Sequence, residues 1–363
     1  MKNQPKNHHF VPQFLMKGFS ENEEHVFVYF KGKNKEFRTT TREIGAENYF
    51  HGRDDLETKI GEKFEGTAGA LLKKLREENY SQPIESPFLP QLIHNHSFRT
   101  QNLRRFTKNS LEILLFEIIN FYKDPENVRK TTTKLIQEDS FIYRKGIENS
   151  IKEFAFLNKK MRDQFYNKAK RDLLKQLSKP NSHIDFQEGL FIEISNLTRG
   201  VIINCLATLK NDVEESHNSN IRKMLEPQNL SELNVIKYLN NFQWELIVKD
   251  ENSFILGDCT CLYFFNKESI YKSFYKTLNF EIVALPISPK HLIIGKKKDF
   301  TFRVSPKEIN LYSAKCSLNF FIGIQAEDDF LKLQKEIGTE EIFSKEEIQH
   351  YAREQIKRMF SKK

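Results

Sequence analysis

The sequence predicts an α+β protein with a short N-terminal β-hairpin, a helical middle, a C-terminal antiparallel or mixed sheet and a closing helix. Three observations carry this reading. β-Branched and aromatic residues flank a turn at residues 25–37, apolar residues recur every three or four positions over most of residues 56–224, and short apolar runs separated by turn residues follow residue 231. The expected organisation is residues 1–230, the hairpin and helices, with residues 231–363, the β-rich part and last helix, joined into one integrated unit.

Taken in order, HVFVYFKGKNKEF places two strands around the turn Lys31-Gly32-Lys33-Asn34. Asp54 with Glu57 three residues later is an Asp version of the capping box, and Leu56, Ile60, Phe64, Ala68, Leu71, Leu72 and Leu75 then form one stripe of a helix. Pro83, Pro87 and Pro90 interrupt regular structure, and a second helical stretch covers about residues 92–122 before Lys123-Asp124-Pro125 ends it. Residues 126–177 read as further helix, and after a loop at 178–183 another runs over about 186–224 until Pro227. FQWELIV, SFILGD, CLYFF, FEIVALPIS, HLIIG and LNFFIGI are the strand candidates, and a capping box at Ser344 and Glu347 opens the last helix.

Composition bounds the function. With 57 Lys+Arg against 49 Asp+Glu the net charge is +8, which leans toward anionic partners without approaching a histone-like excess. Aromatic residues at 12%, with 32 Phe, exclude a disordered chain. Cys205, Cys259, Cys261 and Cys316 are too few and too unevenly spaced for a disulfide framework or zinc ribbon, so reduced thiols are expected. No apolar run approaches the ~18 residues of a membrane span and the N-terminus lacks an apolar signal segment, so a cytoplasmic protein with no membrane partner is expected.

Several polar residues stand out against this background. His8-His9 opens the apolar stretch Phe10-Val11-Pro12-Gln13-Phe14-Leu15, and an imidazole can act as base, acid or metal ligand near neutral pH. The order of a His pair, a hairpin and a helix invites comparison with ββα-metal nucleases, but the helix lacks the His that fold requires. Glu57, Gly61, Glu65 and Gly69 instead recur every four residues, and the two glycines suggest close approach of another segment there. In the next helix, His96, Arg99 and Leu103 share a face with Leu92, and an Arg on such a face needs a carboxylate, for which Glu57 or Glu65 is the natural partner. Asp258 ends an apolar strand, a position that suits either a functional carboxylate or a turn.

In order along the chain these pieces resemble the family termed domain of unknown function 4238. His8-His9-Phe10-Val11-Pro12-Gln13-Phe14-Leu15-Met16-Lys17-Gly18-Phe19 is similar to its HHxVPxxYLxxF start, with Phe14 where Tyr is usual. Glu57 with Glu65, Arg99-Thr100 with Arg104, Trp244, and the run Leu285-Pro286-Ile287-Ser288-Pro289 resemble later family segments. At Leu256-Gly257-Asp258-Cys259-Thr260 the family's Asp is present while its Ser and Pro are not. The resemblance spans roughly residues 8–324 and implies a shared polar set without implying an activity.

The expected function is cleavage of a phosphodiester in RNA or DNA, as in nucleases of prokaryotic phage defence or toxin systems, from a site of His8, His9, Glu57, Glu65, Arg99 and Asp258. His9 is the expected base or metal ligand, the two Glu hold Mg²⁺ or Mn²⁺ or orient the His, and Arg99 stabilises phosphate charge. Residues 159–179, with eight basic and two acidic side chains, offer Lys159, Lys160, Arg162, Lys168, Lys170, Arg171 and Lys175 as a nucleic-acid track, joined by the tail from Arg353. The alternative is a non-catalytic sensor whose polar cluster binds a small anion. Either way, His9, Glu57, Arg99 and Asp258 should converge on one pocket.

Overall fold

The computed structural model describes residues 6–50, 56–141, 143–145, 158–177, 200, 233–266, 269–275, 277–298, 300, 303, 305–342 and 344–361. Asp54, the loop at 178–183, the helix expected over 186–224 and Cys205 lie outside the described residues. The fold is α+β, and the chain divides into two compact units: Met1–Lys108 with Glu215–Ser344, and Asn109–Glu214 with Lys345–Lys363.

In the first unit the chain begins with β1 (Asn7–His9), α1 (Gln13–Met16) and a 3₁₀ turn at Lys17–Phe19. The predicted hairpin follows as β2 (His25–Phe30) and β3 (Glu36–Thr40), with Gly32 at φ 73° supplying the left-handed turn position. β4 (Ala46–Asn48) pairs antiparallel with β1 in the register His8 opposite Glu47.

The predicted helix over 56–75 forms with one departure: α2 (Leu56–Ile60) and α3 (Gly66–Arg76) are joined by a π-helical turn at Gly61–Glu65. Leu56, Ile60, Phe64, Ala68, Leu72 and Leu75 are buried as the periodicity requires. A π turn admits one extra residue, which period-3.6 arithmetic cannot anticipate, and it re-aims the side chains that follow. The expectation of close approach holds at Gly69, where an added Cβ would lie 3.7 Å from that of Phe14, and fails at Gly61, which faces open space.

The prolines before residue 90 do not exclude regular structure. Gln82–Pro83 is β5, an edge strand where a missing N–H is tolerated, and Pro90 occupies the first turn of α4 (Leu89–Phe98). The single helix expected over 92–122 is two, because Arg99 leaves helical geometry (φ −88°, ψ 1°) and α5 starts at Gln101 and runs to Lys123.

The β-rich part begins after α6 (Pro125–Gln137), α7 (Lys159–Leu177) and α8 (Asn234–Leu239). Its strands are β6 (Phe242–Val248), β7 (Leu256–Gly257), β8 (Leu262–Phe265), β9 (Ile270–Lys272), β10 (Ile282–Pro286) and β11 (His291–Lys297). After α9 (Pro306–Cys316) come β12 (Phe320–Gly323), α10 (Asp328–Gln334) and α11 (Lys345–Ser361). A six-stranded antiparallel sheet has the order β5-β6-β11-β10-β8-β9, and a four-stranded one has the order β3-β2-β12-β7. The hairpin therefore pairs with a strand almost three hundred residues later, Phe320 opposite Phe30. Val26 and Val28 of the hairpin share the main core with Leu72, Leu92, Val283, Leu285, Phe320 and Ile322.

Two buried polar side chains tie loops into this core. The Arg76 guanidinium donates to the carbonyl oxygens of Phe14 (3.0 Å), Leu15 (3.2 Å) and Ile287 (2.8 Å), and burial pushes its pKa down to about 10. It thus fastens the end of α1 to the turn between β10 and β11. The second is Asp258, whose Oδ1 accepts from the Leu318 N–H (2.7 Å) and whose Oδ2 accepts from those of Asn319 (2.7 Å) and Phe320 (3.1 Å). Burial pushes its pKa up to about 6, while the three backbone donors pull it down. Asp258 thus caps the chain entering β12. Asn at this position has one acceptor oxygen and turns an NH₂ toward backbone donors, so Asp258→Asn is expected to lower unfolding free energy by about 2–4 kcal/mol in urea titration.

Candidate active site

The His-His motif is held by its backbone. β1 carries His8 and His9, and the Phe10 and Val11 N–H groups both donate to the Gly45 carbonyl, which turns the chain into α1. Behind this strand lies Arg99, fully buried although charged. Its Nη2 donates to the His9 carbonyl oxygen (2.7 Å) and its Nη1 to Glu65 Oε1 (2.7 Å). The carboxylate partner expected for Arg99 is therefore Glu65, in the π turn. A buried guanidinium with a carboxylate and a carbonyl in fixed directions is a rigid clamp, because its donors are coplanar. The break between α4 and α5 frees Arg99 from regular helical geometry at this point.

The clamp defines one side of a cavity of about 690 Å³ lined by Asn7, His9, Gln13, Phe14, Lys17, Arg42, Glu57, Glu65 and Gly66. His9 Nδ1 lies 3.4 Å from Gln13 Nε2, and His9 Nε2, buried, makes no hydrogen bond. Burial, and then the Arg99 charge, push the His9 pKa below its ordinary value, against the pull of Glu65 and the backbone of Arg42 and Thr41. The ring is accordingly neutral at pH 7 and able to accept a proton. Glu57 is shifted the opposite way: burial raises its pKa, helped by Glu65 and opposed by Arg99, His8 and a hydrogen bond from the His9 backbone N–H. An imidazole that resists protonation thus shares a cavity with a carboxyl group that resists ionisation. That is the pattern of an acid–base pair.

Glu65 and Arg99 neutralise one another, whereas Lys17 and Arg42 are exposed at the cavity, Lys17 with its Nζ 4.0 Å from Glu23 Oε2. The sequence reading missed Gln13, Lys17 and Arg42. His9, Gln13 and Lys17 are each four apart, a spacing that could have flagged the first two, but nothing local to Arg42 places it here.

The other expected site residues lie elsewhere. His8 is buried edge-on to Tyr49 (ring centroids 6.2 Å apart) and does not line the cavity, as alternation along β1 requires. Asp258 does not line it either, since its oxygens serve the Leu318, Asn319 and Phe320 amides. His96 is fully buried against Phe14, with a pKa pushed down to about 3 by burial and Arg99, so it is a neutral core residue. Arg99 occupies Glu65, and among the described residues no three His, Cys, Asp or Glu side chains are placed to hold a metal ion. Cys259, Cys261 and Cys316 are free and buried.

In the second unit, α7 carries the basic segment. Lys159, Lys160, Lys168, Arg171 and Lys175 are exposed, while Arg162 is half-buried and Lys170 donates to the Gln137 carbonyl (2.6 Å). Arg353 of α11 is not a free cation, because its Nε and Nη2 bind the buried Glu117 carboxylate at 2.8 and 3.1 Å. Among the described residues no helix is long and apolar enough to cross a membrane.

Fold and site together define an α+β protein with a polar cavity built on an N-terminal His-His strand clamped by a buried arginine. The chain belongs to the family described as "Protein of unknown function (DUF4238)", whose model matches residues 7–359. Neither the curated proteins nor the solved structures offer a match to it.

Two stability measurements check this electrostatic account. Lys has no second arm to reach both Glu65 and the His9 carbonyl, so Arg99→Lys is expected to cost about 2–4 kcal/mol in denaturant unfolding. Glu57 has a folded pKa above its ordinary 4.5, so its contribution is fully present below about that value and is lost as pH rises through the raised one. Glu57→Gln should therefore gain in Tm relative to the parent as pH rises from 4 to 8.

Proposed function

We propose that the protein is an enzyme that cleaves phosphodiester bonds in nucleic acid, with His9 as general base. The observation that carries this reading is the pairing, in one cavity, of a neutral His9 whose Nε2 has no hydrogen-bond partner with a Glu57 shifted toward its protonated form. Phosphodiester cleavage needs a base to activate the attacking oxygen, an acid for the departing one and cations for the phosphate between them. The shifts of His9 and Glu57 run in the directions these first two roles require, and Lys17 and Arg42 have the charge for the third. Arg99, expected from sequence to touch phosphate, is a positioning residue in this scheme because both of its bonded arms are used within the protein.

The exposed cations of α7 support a nucleic-acid substrate, since a row of Lys and Arg suits a phosphate backbone at low salt. The net charge of +8 is consistent with that partner. A place in prokaryotic phage defence or toxicity is part of the same proposal, because uncontrolled cutting of nucleic acid arrests a cell.

The decisive experiment is His9→Ala assayed on RNA and DNA panels with and without Mg²⁺ or Mn²⁺. Arg99 and Glu57 grip the backbone of residue 9 and not its ring, so alanine leaves the clamp in place. The expected outcome is loss of cleavage by about 10²-fold or more with an unchanged circular dichroism spectrum. If the parent protein leaves every substrate intact, the cavity is an anion-binding site of a sensor, a reading that the exposed Lys17 and Arg42 at its mouth would also fit.

A further inference from the structure

The folded helix sorts the cations of α7 into those that face outward in a row and those that do not. We infer that this outer face is a docking surface for B-form duplex DNA, which it grips by the phosphates through Lys160, Lys168, Arg171 and Lys175. The inference takes its class of polymer from the phosphodiesterase reading above, on which it rests, and deepens that reading by naming the form of nucleic acid.

The surface follows from helix periodicity. At about 100° per residue, Lys160, Gln164, Lys168, Arg171 and Lys175 fall within an arc of about 80°, in steps of four, four, three and four. All five are exposed. The other side of α7 is packed: Tyr166 is buried, its carbonyl accepts from the hydroxyl of the buried Tyr143 (2.7 Å), and Lys170 donates to the carbonyl of Gln137 at the end of α6. Arg162 and Lys170 are turned toward that packed side, so neither belongs to the row. Both acids of the helix also lie outside the arc. Asp163 helps Asp139 to keep Arg144 charged, and Asp172 stands at the border of the row. Arg171 Nε donates to the Asn167 carbonyl (3.3 Å), which steadies its guanidinium against the helix. The outcome is a straight line of four cations and one amide, about 22 Å long, on a helix held from behind.

A line of this kind selects its polyanion. Duplex DNA carries one charge per ~1.7 Å of axis, so a stretch as long as the row presents many phosphates already fixed in place. A single strand has to be straightened first, and its usual binding surfaces add aromatic rings on which bases stack. The row consists of Lys, Gln, Lys, Arg and Lys and offers no such ring. Between the two duplexes, the B-form major groove is about 12 Å wide and admits a helix, whereas the A-form major groove of RNA is deep and narrow. With cations at four of the five positions, phosphate contacts dominate, which makes binding steeply salt-dependent and tolerant of sequence.

The test reads binding by the full-length protein, using fluorescence anisotropy between about 50 and 200 mM salt. The probes are a labelled DNA duplex of mixed sequence, one of its single strands, the RNA duplex of the same sequence, and phosphatidylserine vesicles by co-sedimentation. Expected is DNA duplex binding at least ~10-fold tighter than that of either other nucleic acid, with no vesicle binding. Replacing Lys160, Lys168 and Arg171 together by Gln should weaken duplex binding at least ~10-fold and flatten the log–log salt slope by about 3, with an unchanged circular dichroism spectrum. Replacing the exposed Lys33, Lys73 and Lys74 of the first unit by Gln removes the same charge and should change affinity by less than ~3-fold. Absence of binding, equal or tighter binding of a single strand, RNA duplex or vesicle, no effect of the α7 triple change, or an equal effect of the control triple overturns this inference. Cleavage assays on the same samples separate the two readings. Cutting of nucleic acid with a failed α7 test overturns this inference alone, and duplex binding through α7 without any cutting overturns the phosphodiesterase reading alone.

Discussion

The arrangement around the cavity depends on one buried cation. Arg99 sits with no solvent exposure between the His9 carbonyl and the Glu65 carboxylate, and so joins β1 to the π turn of the following helix. Burying a guanidinium is costly, and the cost is offset only when a carboxylate and further acceptors stand in the right directions. The fold meets that demand with a break between α4 and α5 and a widened turn between α2 and α3. Both irregularities lie at the clamp. Regular helices at either place would aim Arg99 or Glu65 elsewhere, so the clamp is the simplest physical account of the two departures.

Holding His9 by its peptide has a consequence for its ring. The His9 ring makes only a long Nδ1 contact with Gln13, and its buried Nε2 makes no hydrogen bond. The same electrostatics that hold the strand also tune the ring, because the Arg99 charge near a buried imidazole disfavours its protonation. Glu57 is shifted the opposite way, its carboxylate receiving the His9 N–H while burial raises its pKa. The fold thus disfavours the protonated form of His9 and the ionised form of Glu57, and at neutral pH only the second of these costs stability.

Much of this was legible in the residues. The His-His-x-x-Pro start, the helix stripe from Leu56 to Leu75 and the need of Arg99 for a carboxylate are short-range patterns whose physics is local periodicity or charge pairing, and they appear where expected. His8 and Asp258 were harder. A neighbouring pair on a strand points to opposite sides, so only one of His8 and His9 could line the cavity, and the choice depended on which face β4 and α2 covered. Asp258 is equally consistent with a site or a cap until the partner amides, sixty residues away, are seen. Lys17, Arg42 and Arg76 carried no signal strong enough to separate them from other surface cations.

The sequence by itself determined the α+β class, the hairpin, the apolar faces and the polar residues that make the site worth looking for, because each follows from spacing within one element or from composition. Only the tertiary structure decided that the hairpin pairs with β12, that Glu65 and not Glu57 receives Arg99, that Asp258 serves a loop, and that two exposed cations complete the cavity. These are contacts between segments distant in the chain, whose formation depends on the packing of every element between them. No local pattern encodes the direction in which a buried guanidinium points. That direction is set by which acceptors the folded core brings within reach.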